Sequence, residues 1–127
     1  MPPSSDAALR VVASDPPAAT GATVVTMTGN LDIDSAPTLR RALDELLGRS
    51  VVRVVVDLSE LGFCDSIGLS ALVDAHRVCT RAGGYFRLAG PTPVLRRVLG
   101  VVGLAGRLPI FDSVPAALAA RDGEAGA

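Results

Sequence analysis

Apolar residues change their spacing several times along this chain, and each change marks an element. Leu9 to Ala13 reads as a short edge strand, followed by the turn-rich "SDPPAATG" at 14–21. "ATVVTMTGN" (22–30) is β-branched and closes on Gly-Asn, which predicts a second strand and a turn. Strands this close in sequence are expected to pair antiparallel. From 31 to 50 the period lengthens: Leu39, Leu43, Leu46 and Leu47 fall at i, i+4, i+7 and i+8 and give a helix one apolar face. Asp34 or Ser35 can cap it, Pro37 suits its first turn, and Gly48 is expected to close it. "VVRVVVDL" (51–58) is apolar nearly throughout, as a strand covered on both faces or lying in the sheet centre should be.

The second half repeats the alternation. "SELGFCDS" (59–66) reads as a loop, with Cys64 and Phe63 expected to anchor it inward, and a helix runs from about Ser66 to Arg81 before Gly83-Gly84 stops it. "YFRLAG" (85–90) is a strand, and "TPVLRRVLGVV" (92–102) a helix opened by Thr92 and Pro93. "RLPIFDS" (107–113) offers a short last strand and "SVPAALAARD" (113–122) a last helix. Strands alternating with helices predict α/β layers with mostly parallel strands from the third onward. The domain is expected to span 9–120, with tails at 1–8 and 121–127. The 59–66 segment then lies at the C-terminal end of a strand, the usual functional edge of an open α/β sheet.

Composition narrows the classes. The chain has 127 residues and is 49% hydrophobic, enough for one ordinary domain with its own core. No apolar run approaches the ~20 residues needed to span a bilayer, and "MPPSSDAALR" lacks the charged start and apolar stretch of a signal peptide. A soluble cytoplasmic protein without membrane association is expected. Net charge is −1 and every basic residue is arginine. The pairs Arg40-Arg41 and Arg96-Arg97 are too short for a nucleic-acid footprint and read as solvated surface. Cys64 and Cys79 lack CxxC spacing and His76 is the only histidine, so no metal set assembles and no cofactor is expected. Both cysteines read as reduced apolar fillers.

The chemistry concentrates on Ser66, at the junction "GFCDSIGLSALV" (62–73). Asp and Ser are favoured helix caps, so the pair can be capping alone. A nucleophilic serine is the sharpest rival, but no G-x-S-x-G elbow is present. His76 lies ten residues along the same helix, its backbone ~15 Å from Ser66, beyond a base's reach. It falls near the line of Leu69, Leu72 and Cys79 and reads as a half-buried packing residue. Phosphate binding lacks both GxxxxGK[ST] and GxGxxG, and Asp65 would repel an anion.

The fourth reading makes Ser66 an acceptor of phosphate. "GNLDIDSAPTLRRALDELL", "VVVDLSELGFCDSIGLSALV" and "LPIFDSVPAAL" resemble the blocks of STAS domains, and among these the bacterial anti-sigma factor antagonists. The likeness runs from about residue 9 to 120, and the stretch from Asp57 to Leu69 is its most specific part. It implies an α/β fold with a mixed sheet of about five strands and helices mainly on one side. It also implies a binding protein rather than an enzyme. An anti-sigma factor of the serine-kinase type would phosphorylate Ser66 from ATP. The unmodified form would bind that partner and free the sigma factor, and a phosphatase would restore binding. Where the family commonly has a second hydroxyl residue after the acceptor, this chain has Ile67.

At about 100° per residue, Ile67, Ala71 and Val78 lie together on the helix, away from Leu69 and Leu72, with Ser70, Asp74 and Arg77 alongside. That strip is either a docking surface or the contact with a neighbouring helix. Asp32, in "GNLD", matches a family aspartate near the acceptor loop, or is a turn residue. Asp57 reads as structural, bonding loop N–H groups. The expected partner-binding set is Asp32, Asp65, Ser66, Ile67, Ser70, Ala71 and Asp74. The alternative is a STAS module of another signalling or transport-regulating complex, with Ser66 unmodified.

Overall fold

The computed structural model describes residues 9–14, 21–101 and 108–121. Strands β1 (Arg10–Ser14), β2 (Thr23–Leu31), β3 (Arg53–Cys64), β4 (Tyr85–Ala89) and β5 (Ile110–Phe111) form one sheet in sequential order. Helices α1 (Ala36–Gly48), α2 (Ser66–Arg81), α3 (Pro93–Val101) and α4 (Val114–Ala119) lie between and after them. β1 pairs antiparallel with β2, and every later neighbour pair is parallel. The expected mixed five-strand α/β sheet is the one observed. The expected tail at 1–8, all but Arg121 of that at 121–127, most of the 14–21 connection and the start of the 107–113 segment lie outside the described residues.

Period-two alternation divides the strands between two faces. Val54, Val56 and Leu58 of β3 and Phe86 and Leu88 of β4 join the main core with Leu39, Leu43 and Leu46 of α1, Leu69, Leu72 and Cys79 of α2, and Leu95 and Leu99 of α3. Val55, Ala89 and Phe111 face the other way, where Ala117 of α4 covers them. Three of the described helices thus share one face and the fourth takes the other. The run of Val54, Val55 and Val56 in β3 is unbroken because both faces are covered there.

The helix ends differ from expectation in phase. Gly48 remains inside α1, and the left-handed residue that closes it is Ser50, at φ 64°. Ser50 N–H donates to the Leu47 carbonyl and Val51 N–H to that of Leu46, the paired bonds of a Schellman stop. α2 ends the same way with a glycine in the special position, Gly83 at φ 91°. α4 is shorter than its sequence pattern, because Ala120 turns extended at ψ 144°.

The largest correction concerns 59–66. It is strand, not loop, as far as Cys64. β4 accompanies β3 only to the pair Asp57–Ala89, but β2 continues beside it to Leu31–Cys64. Two register shifts let β3 carry extra residues against β2, which bends and twists the ribbon. The turn-like residues Gly62 and Ser59 are absorbed there. The result is a two-stranded extension that carries Ser66 past the end of the rest of the sheet.

Candidate functional site

Two helix starts meet at the tip of that extension. Asp65 N–H donates to the Leu31 carbonyl at 3.1 Å, so the β3–α2 junction is tied to the end of β2. Asp65 is extended (φ −90°, ψ −176°), and its Oδ1 accepts from Gly68 N–H at 2.8 Å. That is an N-cap, and it is made by Asp65, not Ser66. Ser66 becomes the first helical residue. It is exposed, and its hydroxyl has no hydrogen-bond partner among the described residues. Gly68 explains the tight seat of the helix: a β-carbon there would run into the Leu31 carbonyl oxygen and come within 2.9 Å of Cys64 Sγ.

The facing turn is built on Asp32. Its Oδ1 accepts from the backbone N–H groups of Asp34 and Ser35, each at 3.0 Å. Ser35 is 8% exposed, and its hydroxyl is turned back into the turn rather than onto α1. Ser35 Oγ accepts from Asp32 N–H at 2.9 Å, and its single proton serves the Asn30 carbonyl at 2.8 Å or Asp32 Oδ1 at 3.1 Å. Neither Asp34 nor Ser35 therefore caps α1 through its side chain. Asp32 is thus a turn residue, whose carboxylate shapes the turn at the start of α1.

Cys64 lies buried beneath the junction. Burial first, then the carboxylates of Asp65 and Asp32, push its thiol from 9.0 up to about 12. It stays protonated at neutral pH and is no nucleophile. Burial alone raises Cys79 to about 11. Both are free thiols. Asp57 Oδ1 accepts from Ser59 N–H at 2.9 Å, the structural role expected of it. His76 is half-buried, with Nδ1 shut away from solvent and lacking a partner among the described residues.

The surface around Ser66 is more apolar than expected. Ile67 is 45% exposed, and Ile33 and Phe63 add 65% and 54%. Phe63 points outward, against expectation, because alternation along β3 gives the inward place to Cys64. Sequence reasoning missed Ile33 and Phe63 as surface; for Phe63 the available signal was its place beside Cys64, and for Ile33, in the turn after β2, there was none. Ser70 and Asp74 are exposed, and Asp74 lies 3.9 Å from Arg77. Ala71 and Val78 are half-buried. They line a groove of about 390 Å³ between α1 and α2, with Ile33, Pro37, Leu43 and Asp74. The strip is therefore split: Ile67 is open and the rest partly faces α1.

Arg40 pairs with Asp44 at 3.1 Å and Arg96 with Asp112 at 2.9 Å, so these arginines belong to surface ion pairs. No helix is long and apolar enough to cross a membrane, and no group of metal-binding side chains assembles among the described residues.

A sequential mixed sheet with an Asp-Ser-x-Gly-Leu junction seated on the second strand defines a class. The family model described as "Mlab, STAS domain" matches residues 16–112, and the chain belongs to the STAS domain family. The anti-sigma F factor antagonist of Paenibacillus polymyxa is 29% identical over 94 residues, which cover 73% of this chain and 80% of that protein. A crystal structure of an anti-sigma factor antagonist from Mycobacterium paratuberculosis superposes with a TM-score of 0.75 at 27% identity, covering 87% of this chain and 92% of that one. Two further structures share the fold alone. The Bacillus cell fate determinant SpoIIAA in its phosphorylated form has a TM-score of 0.60 at 20% identity, covering 80% of this chain and 90% of that one. A murine solute carrier anion transporter has 0.67 at 19%, covering 77% of this chain but 17% of the transporter.

Proposed function

We propose that this protein is an anti-sigma factor antagonist, switched by phosphorylation of Ser66. In its unmodified form it binds a cognate anti-sigma factor of the serine-kinase type in the cytoplasm and frees the sigma factor. The kinase transfers the terminal phosphoryl group of ATP to Ser66 Oγ, the hydroxyl proton leaves, and ADP departs. A phosphatase reverses the step by hydrolysis. The protein itself catalyses nothing and binds no nucleic acid. Ser66, Ile67 and Ser70 with Asp32 and Asp65 form the near part of the docking face, and Ala71 and Asp74 its extension along the groove. Ile33 and Phe63 add apolar area to it. The names of the relatives support this reading.

The observation that carries it is the division of labour at the junction. Asp65 holds the cap, and the Ser66 hydroxyl bonds to nothing among the described residues. A phosphate on Ser66 therefore breaks no structural bond. It also sits in the first turn of a helix, where negative charge is favoured. The added charge of about −1.5 to −2 acts outward, on the partner, where Ile33, Phe63 and Ile67 offer apolar contact. Burying it unmatched against that contact should weaken binding roughly ten- to a hundredfold. Incubation with the kinase and ATP should place one phosphate on Ser66 by peptide mass mapping. Calorimetry should then show lost affinity at an unchanged melting temperature, and Ser66→Asp should weaken binding with its smaller charge. Labelling of Ser59 or Ser70 in the Ser66→Ala variant would overturn the assignment, as would a phosphoprotein that binds as well as the unmodified one.

A further inference from the structure

The face of the sheet opposite α1, α2 and α3 is closed by a helix too short to stand alone. α4 has six residues, well under the roughly 12–15 a helix needs to persist by itself in water. Its apolar contribution is modest: Ala117 is fully buried, and Val114 and Leu118 partly so. It carries no basic residue in its last turn, and the carbonyls left over there are taken by another element. Arg87, in the middle of β4 and 2% exposed, donates from Nη1 to the carbonyls of Ala117 at 2.8 Å and Ala120 at 2.9 Å. Its Nη2 donates to the carbonyl of Arg121 at 3.0 Å. The guanidinium carbon lies 3.6 Å from the centre of the Tyr85 ring and 5.8 Å from that of Phe111.

Each partner supplies what the other lacks. A buried cation is costly unless its donors are matched, and the end of a helix presents unsatisfied carbonyls with partial negative charge. Arg87 is thus the C-terminal cap of α4, supplied from the sheet. The cluster under α4 is also separate from the main core that holds α1, α2 and α3. The cap and backbone bonds of the Ser66 junction run to Gly68 and Leu31, on the other side of that division.

We propose that α4 is a latch. It is helical only while docked on Arg87, and it opens and closes as a unit while the rest of the sheet, with the Ser66 end, stays folded. In the open state water solvates the guanidinium and the carbonyls, so the opening leaves no charge stranded in a dry interior. It uncovers Val55, Ala89 and Phe111.

Tyr85 is the chain's one tyrosine and tryptophan is absent, so tyrosine emission reports the contact directly. In the full-length protein, Arg87→Met should speed amide hydrogen exchange in peptides covering 114–120 by at least about tenfold. Exchange over 53–81 should stay as in the wild type, and acrylamide should quench Tyr85 more strongly. Ser113→Ala works from the helix side, by removing the bond that Ala116 N–H donates to Ser113 Oγ at 3.2 Å. It should give the same pattern more weakly, and it keeps the test decisive where the sheet does not tolerate methionine at 87. Unchanged protection of 114–120 in both variants would mean that apolar contact docks the helix without Arg87. An equal loss over 53–81 would mean that α4 is not a separate unit. Either result overturns the latch.

Discussion

Asp34-Ser35 and Asp65-Ser66 are the same dipeptide at the start of a helix, side by side at the same end of the molecule, and they are used in opposite ways. At the first, the serine is 8% exposed and its hydroxyl is spent on Asn30 and Asp32, so it holds the turn together. At the second, the aspartate takes the cap and the serine is left exposed in the first turn. A third copy, Asp112-Ser113, does neither: Ser113 caps α4 and Asp112 pairs with Arg96. Residue type alone therefore does not decide which hydroxyl is available. The position of the chain one residue earlier does. Asp65 is held extended by its N–H bond to Leu31, whereas Asp34 sits in a turn whose amides converge on Asp32.

The two serines should therefore separate under mutation, and the strongest blow falls on the seat of α2 against the end of β2. Gly68→Ala places a methyl group against the Leu31 carbonyl and Cys64 Sγ. Backbone cannot yield there cheaply, so a loss of about 3 kcal/mol is expected, the upper part of the overpacking range. Denaturant unfolding should show it, and calorimetry should show weakened partner binding, because the first turn of α2 is displaced. Ser35→Ala comes next. It leaves the Asn30 carbonyl and the Asp32 N–H without their partner in a half-buried turn, at about 1–3 kcal/mol. Partner affinity should change little once the folded fraction is accounted for. A Ser35→Ala protein as stable as wild type would erase the contrast from one side.

Asp65→Ala tests the cap between them. Loss of the bond from Gly68 N–H should cost about 0.5–2 kcal/mol. It also removes one of the carboxylates that raise the Cys64 thiol from 9.0 to about 12. Because the folded-state value lies above the unfolded one, Cys64 opposes unfolding fully below about pH 9. That contribution fades as pH rises toward 12. A thiol titration of the Asp65→Ala protein should show Cys64 ionising earlier than in wild type, though still late, since burial is the larger cause.

Much of this was legible in the chain. The leucines of α1, the valine run of β3 and the Gly83-Gly84 stop of α2 declare themselves by period and punctuation, and the Asp-Ser-x-Gly-Leu junction was visible as a resemblance. What sequence could not give was phase. "SELGFC" carries the residues of a loop, and only its pairing with a long β2 makes it strand. That pairing turns Phe63 outward and Cys64 inward, reversing half of the inward anchor expected there. The same limit hid Arg87: a charge amid "YFRLA" signals something, but its partners lie about thirty residues on, at the end of α4.

The smallest expected effect is the most telling. Ser66→Ala removes an exposed hydroxyl that bonds to nothing among the described residues, and alanine is at least as favourable as serine in a helical position. Stability should therefore move by no more than about 0.5 kcal/mol, the range of an ordinary surface change. On the proposed function, partner affinity should stay near that of the unmodified protein and phosphorylation should vanish, leaving the protein fixed in its binding state. The comparison with Ser35→Ala is then one of kind as well as size: one alanine lowers the melting temperature and keeps the switch, the other keeps the melting temperature and removes the switch. Melting curves, calorimetry and kinase labelling of the two variants side by side decide it. A drop of a kilocalorie or more in Ser66→Ala, about what a lost cap costs, would mean that Ser66 shares the cap with Asp65, and the division of labour that makes it free for modification would fall.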